Sequence, residues 1–384
     1  MRIDEFSCPT LVVHGERSAA LVGDHARRLG AERVLVVIDP AVRRMGGLDA
    51  VGQELKQEQM DFDVFDRIES EPARQAVDTA AEAVGDDVDV IVAIGGGSTM
   101  DQAKGMRIVA ECGGSIRDYK GGDQLPESFR IKLICIPTTS GTGSEVSWGG
   151  VYTDEDSGLK FPVSGRSNAP DVALVDPRMA ATMPPHVTAM TGSDTLVHAV
   201  ESYLSNFATP LTGGLSLRAI ELAAHSLPQA FTNGRDMTAR DRMARACTLA
   251  AMAFNTSRLG MAHGVCLPLA AKFKLPHGLA VAVMLPYVLE FNQSACGHKL
   301  FGLAHALGVE VRGVDEAKIA ERSVSAVRRL YELIRIPLNL RELKVTRDAF
   351  DEVAELAMGT HQVPANPRKV ESKEEIVELL NSAY

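Results

Sequence analysis

Two kinds of hydrophobic pattern divide the chain. In the first half, short β-branched runs alternate with amphipathic stretches of helical period, such as residues 18–29 and 71–84. The apolar runs are at 33–38, 88–94 and 132–136. Short apolar strands separated by helices predict βαβ units and a parallel sheet. Ligands of such sheets bind at the carboxyl ends of the strands, where all three runs end in polar or small residues.

The second half has a helical pattern throughout. From Pro184 onward no stretch alternates as a strand does, and the breaks are marked by Pro184-Pro185, Gly213-Gly214, Pro286 and Pro337. The helical patterns cover 187–206, 213–231, 240–255, 281–292, 319–334 and 347–358. We therefore predict an α/β domain with a parallel sheet at 1–178, followed by an all-α domain at 179–384.

Composition and charge narrow the class of protein. The 384 residues are 45% hydrophobic and 23% charged, which is typical of a soluble globular chain with two domains. The net charge of -10, with no block of Lys or Arg, argues against a nucleic-acid partner. Six cysteines without a C-x-x-C pair indicate reduced thiols, and we find neither a signal peptide nor a membrane-length apolar run. We expect a cytoplasmic protein.

Two loops offer groups that bind phosphate. Residues 95–98, with the sequence GGGS, follow an apolar run and open a helical stretch. Consecutive glycines let backbone N–H groups approach a diphosphate, and a helix N-terminus favours the negative charge. The second loop, at 138–145, is rich in Thr, Ser and Gly and offers donors to phosphate and ribose oxygens. The alternative for each loop is a tight turn that binds nothing.

Asp39 follows the first apolar run. A carboxylate at this position accepts hydrogen bonds from a ribose diol and repels a 2′-phosphate, which favours NAD over NADP. An aspartate that only begins an Asp-Pro turn explains the local sequence equally well.

Four residues in the second half form a candidate metal site. Asp194 and His198 are four apart in a helical pattern, so both lie on one face. His263 and His277 each lie in an apolar, glycine-flanked setting. Three imidazoles and a carboxylate suit a divalent ion such as Fe²⁺ or Zn²⁺. Taken singly, however, each histidine is more often a hydrogen-bonded core residue.

Several long motifs in order resemble the iron-containing (group III) alcohol dehydrogenases. The resemblance covers nearly the whole chain: GGGSTMDQAK (95–104), PTTSGTGSEVS (137–147), VDP (175–177), GSDTLVHAVESY (192–203), LGMAHG (259–264), LPHGLAVAVMLPYVLEFN (275–292) and NPR (366–368). It implies an N-terminal dinucleotide-binding domain and a helical metal- and substrate-binding domain, in the fold shared with dehydroquinate synthase. Members of this family are commonly homodimers or larger assemblies.

The resemblance also assigns roles to residues. The metal ligands fall on Asp194, His198, His263 and His277. The cofactor contacts fall on Asp39, Gly96, Gly97, Ser98, Asp101, Thr138, Thr139, Thr142, Gly149 and Lys160. The substrate side is expected to include Trp148, Phe254, Arg258 and Leu267.

The chain departs from its relatives at several of these positions. Many members carry a histidine, thought to move the alcohol proton, where this chain has Leu267, so water or the cofactor ribose would have to serve instead. Glu71-Pro72 replaces an Asn-Pro pair. Arg258 replaces a small residue, and its guanidinium either binds an anionic group of the substrate or is an ordinary surface or interface arginine.

We therefore expect an alcohol dehydrogenase or aldehyde reductase that depends on a metal and NAD(P). A hydride would pass between the nicotinamide and a small alcohol or aldehyde held by Fe²⁺, with Zn²⁺ as the alternative ion. Three other interpretations remain open at this point. They are a lyase of the dehydroquinate-synthase type, an inactive homologue that acts as a binding protein, and a transhydrogenase that keeps its cofactor bound.

Overall fold

The computed structural model describes residues 3–69 and 72–384. It forms two compact units, one of Cys8–Thr182 and one of Met183–Tyr384 together with residues 3–7. The sequence pattern places the boundary four residues earlier, between residues 178 and 179. The helix expected at 71–84 would begin at Glu71, which lies outside the described residues, and the helix found in that stretch is Arg74–Ala81.

Within its described residues, the N-terminal unit has strands at the three places where the sequence predicts them and five further strands. The strands are β1 Leu11–His14, β2 Arg33–Ile38, β3 Asp61–Phe65, β4 Val90–Gly95, β5 Lys132–Pro137, β6 Gly149–Asp154, β7 Leu159–Ser164 and β8 Val172–Val175. Six of them form one sheet in the order β1-β8-β5-β4-β2-β3, and every pairing in it is parallel. Strands β6 and β7 form a separate antiparallel pair. The predicted parallel sheet is confirmed.

Helices cover both faces of this sheet, as the alternation of side chains along a strand requires. The helices are α1 Val22–Arg28, α2 Pro40–Arg44, α3 Gly47–Gln57, α4 Arg74–Ala81 and α5 Gly97–Cys112. On β2, Val34 and Val36 pack in a core with Leu55 of α3. Leu35 between them points the other way, into a core with Met100 of α5. The continuous apolar run of β2 thus reflects burial on both faces.

The C-terminal unit is helical. Its helices are α6 Pro185–Leu204, α7 Pro210–Thr232, α8 Met237–Ser257, α9 Met261–Phe273, α10 His277–Cys296, α11 Lys299–Ala306, α12 Glu316–Leu333, α13 Phe350–Met358 and α14 Lys373–Ser382. In the described part of this unit no strand occurs, which confirms the all-α prediction.

Two predicted helix breaks are wrong. Gly213-Gly214 lies inside α7, because that helix begins earlier, at a capping box made by Thr209 and Thr212 with Pro210 in the first turn. Pro286 lies inside α10, where its ring is buried in the helical core. In both cases, tertiary packing stabilises a helix across residues that weaken helices in isolation.

Helix α10 is long and apolar enough to cross a membrane, judged by length and composition alone. Within the C-terminal unit, however, 67% of its apolar stretch is buried against other parts of the protein. It packs on α6, α9 and α12. Its hydrophobicity therefore follows from packing against these neighbouring helices.

Candidate active site

Three helices bring the predicted metal ligands together. Asp194 and His198 lie one turn apart on α6, His263 lies in the first turn of α9, and His277 is the first residue of α10. Asp194 Oδ1 is 3.6 Å from Nε2 of His198, 3.6 Å from Nε2 of His263 and 3.8 Å from Nε2 of His277. Four donor atoms of three different helices thus converge on one small volume.

The chemistry of this cluster fits a divalent cation. Asp194 and His263 are 2% and 3% exposed, yet Asp194 Oδ1 and His263 Nε2 have no hydrogen-bond partner among the described residues. Buried polar atoms are normally satisfied, and leaving one unpaired costs about 1–3 kcal/mol. An ion between the carboxylate and the imidazole lone pairs would satisfy all of them at once.

The electrostatics of the cluster also call for positive charge. Burial alone would raise the pKa of the Asp194 carboxyl, but the surrounding His198, His263 and His277 lower it well below its usual value. Burial would lower the pKa of His263, but the nearby Asp194 and the hydrogen bond to Glu201 raise it to about 9. Both pKa shifts come from opposite charges that lie close together. The carboxylate oxygen atoms of Asp194 and Glu201 lie on the two sides of His263 and favour a cation at its Nε2.

Glu201 is a site residue that the sequence reading missed. Its carboxylate lies 2.6 Å from His263 Nδ1, and both residues are buried. Asp194, His198 and Glu201 follow one another at i, i+4 and i+7 on α6, so they share one face of the helix. This spacing was visible in the sequence and was the available signal.

The aromatic and aliphatic candidates of the substrate side lie near the histidines. The ring of Phe254 on α8 is tilted against the His198 ring, with 4.8 Å between centroids. Leu267 is half-buried on α9, one turn after His263. It brings no titratable group to this position.

Arg258 follows the end of α8, one turn after Phe254. Its side chain is exposed, and the guanidinium lies over the Phe207 ring, 4.3 Å from the centroid. Its backbone adopts φ 62 and ψ -178, a region that is open to glycine and strained for other residues.

This strain predicts an inverted order of stability. We expect Arg258→Gly to be more stable than Arg258→Ala by about 1–2 kcal/mol, because glycine relieves the backbone strain that alanine retains. The exposed Arg242, inside the same helix α8, is the matched control. There the alanine variant should be the more stable, by about 1 kcal/mol. Urea unfolding of the four variants measures both differences, and the same order at both positions would contradict the strain.

In the N-terminal unit, the two predicted phosphate loops lie side by side. The glycine loop joins β4 to α5, and residues 138–145 follow the neighbouring strand β5. A Cβ atom added to Gly97 would lie 2.6 Å from Thr142 Cγ2, and one added to Gly96 would lie 3.3 Å from Thr139 Oγ1. At position 97 only glycine permits this approach, and neither glycine covers the backbone N–H groups at the start of α5 with a side chain of its own.

A buried lysine that the sequence reading left without a role holds the second loop. Lys104 Nζ donates to Ser144 Oγ at 2.9 Å, to Ser147 O at 3.0 Å and to Gly149 O at 2.8 Å. Asp101 completes the network by accepting from Ser144 Oγ and from the backbone N–H of Val151. Burial raises the pKa of Asp101 and lowers that of Lys104, although the two charges oppose these shifts. Asp101 thus has a structural partner on each carboxylate oxygen.

The remaining cofactor candidates are spread along the same unit. Asp39 caps α2: its Oδ1 accepts from the N–H groups of Ala41 and Val42, which leaves Oδ2 for another donor. Gly149 and Lys160 lie on the β6–β7 pair, where Gly149 faces Ser164 and Lys160 faces Thr153. These two are therefore four positions apart along the pair rather than together.

Three further candidates complete this unit. Ser98 lies in the first turn of α5 and Thr138 directly follows β5, with its N–H bonded to Gly95 O. Trp148, the only tryptophan of the chain, is half-buried beside β6, with the Arg166 guanidinium 5.4 Å from its ring centroid.

The chain thus has an α/β unit with two adjacent loops rich in Gly, Ser and Thr, and a helical unit with a buried cluster of histidines and an aspartate. Two family models match the chain, one described as "Iron-containing alcohol dehydrogenase" over residues 9–177 and one as "Fe-containing alcohol dehydrogenase family, C-terminal" over residues 188–384. The chain belongs to the iron-containing alcohol dehydrogenase family. It is therefore an NAD(P)-linked oxidoreductase that acts on CH–OH donors.

Curated relatives agree along their whole length. The chain is 36% identical to the choline dehydrogenase of Bacillus subtilis (strain 168), covering 96% of this chain and 92% of that protein. It is 34% identical to the 1,3-propanediol dehydrogenase of Klebsiella pneumoniae over 100% of this chain and 99% of that one. The NAD-dependent methanol dehydrogenase of Bacillus methanolicus is 32% identical over 98% and 99% of the two chains.

Solved structures give the same assignment. A crystal structure of 1,3-propanediol oxidoreductase superposes with a TM-score of 0.95 at 33% identity and covers 100% of both chains. The fold predicted from the sequence motifs is thereby confirmed. Neither the lyase nor the inactive homologue finds support in these comparisons.

Proposed function

We propose that the chain interconverts small alcohols and aldehydes with an Fe²⁺ ion held by Asp194, His198, His263 and His277. The observation that carries the proposal is the convergence of three imidazole Nε2 atoms within 3.6–3.8 Å of one buried carboxylate oxygen. Three of these residues, Asp194, His263 and His277, have ligand atoms that all lie within 4.8 Å of one another. Zn²⁺ suits the same ligands, and the cell's supply would decide between the two ions.

We propose NAD rather than NADP as the cofactor. The support is Asp39, whose Oδ2 is left beside the end of β2 after Oδ1 caps α2. A negative charge there accepts a ribose diol and repels a 2′-phosphate. The glycine loop at the start of α5 would hold the diphosphate, and Thr138, Thr139 and Thr142 would contribute hydroxyl groups.

The protein residues divide the catalytic work. When bound, the ion supplies Lewis acidity, which lowers the pKa of an alcohol and polarises a carbonyl, an effect of several kcal/mol at the transition state. Asp194 offsets one unit of its charge, and the three neutral imidazoles leave the centre positive. Phe254 packs against His198 and presents an apolar surface beside the ligands, which suits the carbon chain of a small alcohol.

No side chain at position 267 carries the proton. Leu267 lies one helical turn after His263, and its isobutyl group neither donates nor accepts. We propose that water or the ribose hydroxyl of the cofactor takes the alcohol proton.

A panel of alcohols tests the proposal. The protein is stripped with a chelator, reloaded with Fe²⁺ or Zn²⁺, and assayed by NADH absorbance with primary alcohols, diols and aldehydes. We expect turnover with a reloaded sample, none with the stripped one, and NADH released into solution. Full turnover after complete removal of the metal would overturn the metal assignment. Oxidation without free NADH would indicate the transhydrogenase instead.

Arg258 leads us to propose that the preferred aldehyde carries an anionic group. Arg258 follows Phe254 by one helical turn, with its backbone N–H donating to Phe254 O, and Phe254 itself contacts His198. We expect Arg258→Leu to raise the Michaelis constant for acidic aldehydes roughly tenfold, since a charged hydrogen bond contributes about 1.5–3 kcal/mol. The constant for propanal should not change. Arg242→Leu, on the same helix and exposed, is the control; equal effects of Arg258→Leu on both substrates would contradict the anionic interpretation.

We further propose a cytoplasmic homodimer or larger homo-oligomer. All six cysteines are free thiols, which fits a reducing compartment. The chain belongs to the iron-containing alcohol dehydrogenase family, whose members are commonly homodimers or larger assemblies. Light scattering after size-exclusion chromatography measures the assembly, and a monomer at micromolar concentration would contradict this part of the proposal.

A further inference from the structure

Glu201 makes two contacts that link the metal cluster to the start of α9. Its Oε2 lies 2.6 Å from His263 Nδ1, and its Oε1 accepts from the Ala262 N–H at 2.6 Å. The side chain is 4% exposed, so both bonds are formed away from water. A carboxylate has no proton to give, and the hydrogen of the first bond must therefore be on Nδ1. In the neutral imidazole that a metal requires, the lone pair of His263 is therefore at Nε2, the atom that faces Asp194.

The start of α9 is held from a second side by Asn366, in the NPR motif that the sequence singled out. Asn366 Oδ1 is 3.4 Å from the Met261 N–H, and its amide exchanges hydrogen bonds with Asn292 at 2.9 and 2.6 Å. A Cβ atom on Gly260 would lie 3.0 Å from Glu201 Oε1 and 3.3 Å from Asn366 Oδ1. The glycine thus lets both polar side chains reach the N–H groups of the first turn.

From these contacts we infer that Glu201 is a positioning residue for metal binding, acting through His263. It fixes the ring orientation and the tautomer, and its negative charge makes Nε2 a stronger donor. Asn366 holds the helix on which His263 lies but does not touch the imidazole. The inference rests on the proposed metal site, since a positioned lone pair matters only if an ion uses it.

Chelator competition with Zn²⁺ tests the role without relying on catalysis. Glu201→Gln preserves shape but removes the charge and one acceptor oxygen, so one of the two N–H groups loses its partner. We expect the dissociation constant for Zn²⁺ to rise about 10–100-fold. Glu201→Asp keeps the charge and should fall between the wild type and Glu201→Gln. Glu221→Gln, an exposed residue of α7, is the matched control and should bind as the wild type does.

Asn366→Ala separates positioning from helix capping. We expect it to lower the melting temperature of the metal-free protein and to leave Zn²⁺ affinity close to that of the wild type. The visible spectrum of the Co²⁺ form should change in Glu201→Gln, because one ligand changes its orientation and basicity, and not in Asn366→Ala.

The outcomes distinguish the two proposals. If the wild type takes up no stoichiometric metal, the proposed metal site fails. If the wild type binds metal and Glu201→Gln binds it equally tightly, only the inference about Glu201 fails. Equal losses of affinity in Glu201→Gln and Asn366→Ala would likewise overturn it, since both would then act only on the helix. Should Glu201→Gln not fold, Glu201→Asp carries the comparison.

Discussion

Asp194→Ala is expected to bind no stoichiometric metal and to lose at least about a thousandfold in kcat/KM for every alcohol. The metal contributes several kcal/mol at the transition state, and about 1.4 kcal/mol corresponds to tenfold in rate. Among the residues that the structure describes, Asp194 is the only carboxylate in the cluster of ligand atoms, and its Oδ1 is the atom on which the imidazoles converge. Without it, three neutral donors face a divalent ion, and none of its ligands carries a negative charge.

The adjacent residue provides a matched control. Ser193 is fully buried on the same helix, and its hydroxyl has no hydrogen-bond partner in the described part of the chain. Ser193→Ala removes an unsatisfied polar atom, which is neutral or stabilising, and should retain metal and activity. Metal analysis and turnover are measured on both variants, together with NADH affinity, which neither should change. Metal bound at wild-type occupancy in Asp194→Ala would refute the assignment.

The fold could be predicted where burial leaves a pattern in the local sequence. Strand β2 was placed to the residue, because Val34 to Ile38 are buried on both faces of the sheet and read as one apolar run. Strand β3 reads DFDVF and lies at the sheet edge, where exposed aspartates hide the strand. Strands β1 and β8 have only four residues each, too few for a periodic signal.

Helix α9 shows how a functional element can escape the pattern. It contains Gly264 and an internal Pro268, and both residues argue against a helix when only the sequence is read. Its hydrophobic positions are buried all round, so no polar face marks the period. Tertiary packing provides the stability that the low helix propensity of these residues does not. This helix carries the ligand His263.

The candidate site, too, could be predicted from the sequence only in part. Spacing alone put Asp194 and His198 on one face of a helix, and the same spacing extends to Glu201. His263 and His277 lie more than 60 residues further along the chain, and only the packing of α9 and α10 on α6 brings them to Asp194. The family resemblance supplied these two assignments. The strained backbone of Arg258 had no sequence signal, because the left-handed region disfavours arginine and only tertiary structure imposes it.

A substitution that disrupts the cofactor loops should weaken NADH binding and leave the metal content unchanged. Gly97→Ala places a methyl group 2.6 Å from Thr142 Cγ2 and 2.8 Å from Thr142 Oγ1. Threonine is β-branched and has little freedom to turn aside, so one loop must move. Such overpacking costs about 1–3 kcal/mol, which the free protein avoids by moving a loop. A diphosphate that binds at the native position requires the loops to return, so the same free energy opposes binding. We expect the dissociation constant for NADH to rise about 5–150-fold, the range that this free energy gives.

The single tryptophan makes the measurement direct. Trp148 lies in the same unit as the glycine loop, and its fluorescence is expected to report NADH binding without interference from any other tryptophan. Gly214→Ala, in α7, is the matched control, because a Cβ atom there meets nothing within 4 Å. It should leave NADH affinity unchanged and stabilise the helix by about 0.5–1 kcal/mol. Metal content should stay at the wild-type level in both variants. Unchanged NADH affinity in Gly97→Ala would contradict the glycine loop as the diphosphate site. Loss of metal together with cofactor would show that the two sites do not fail independently.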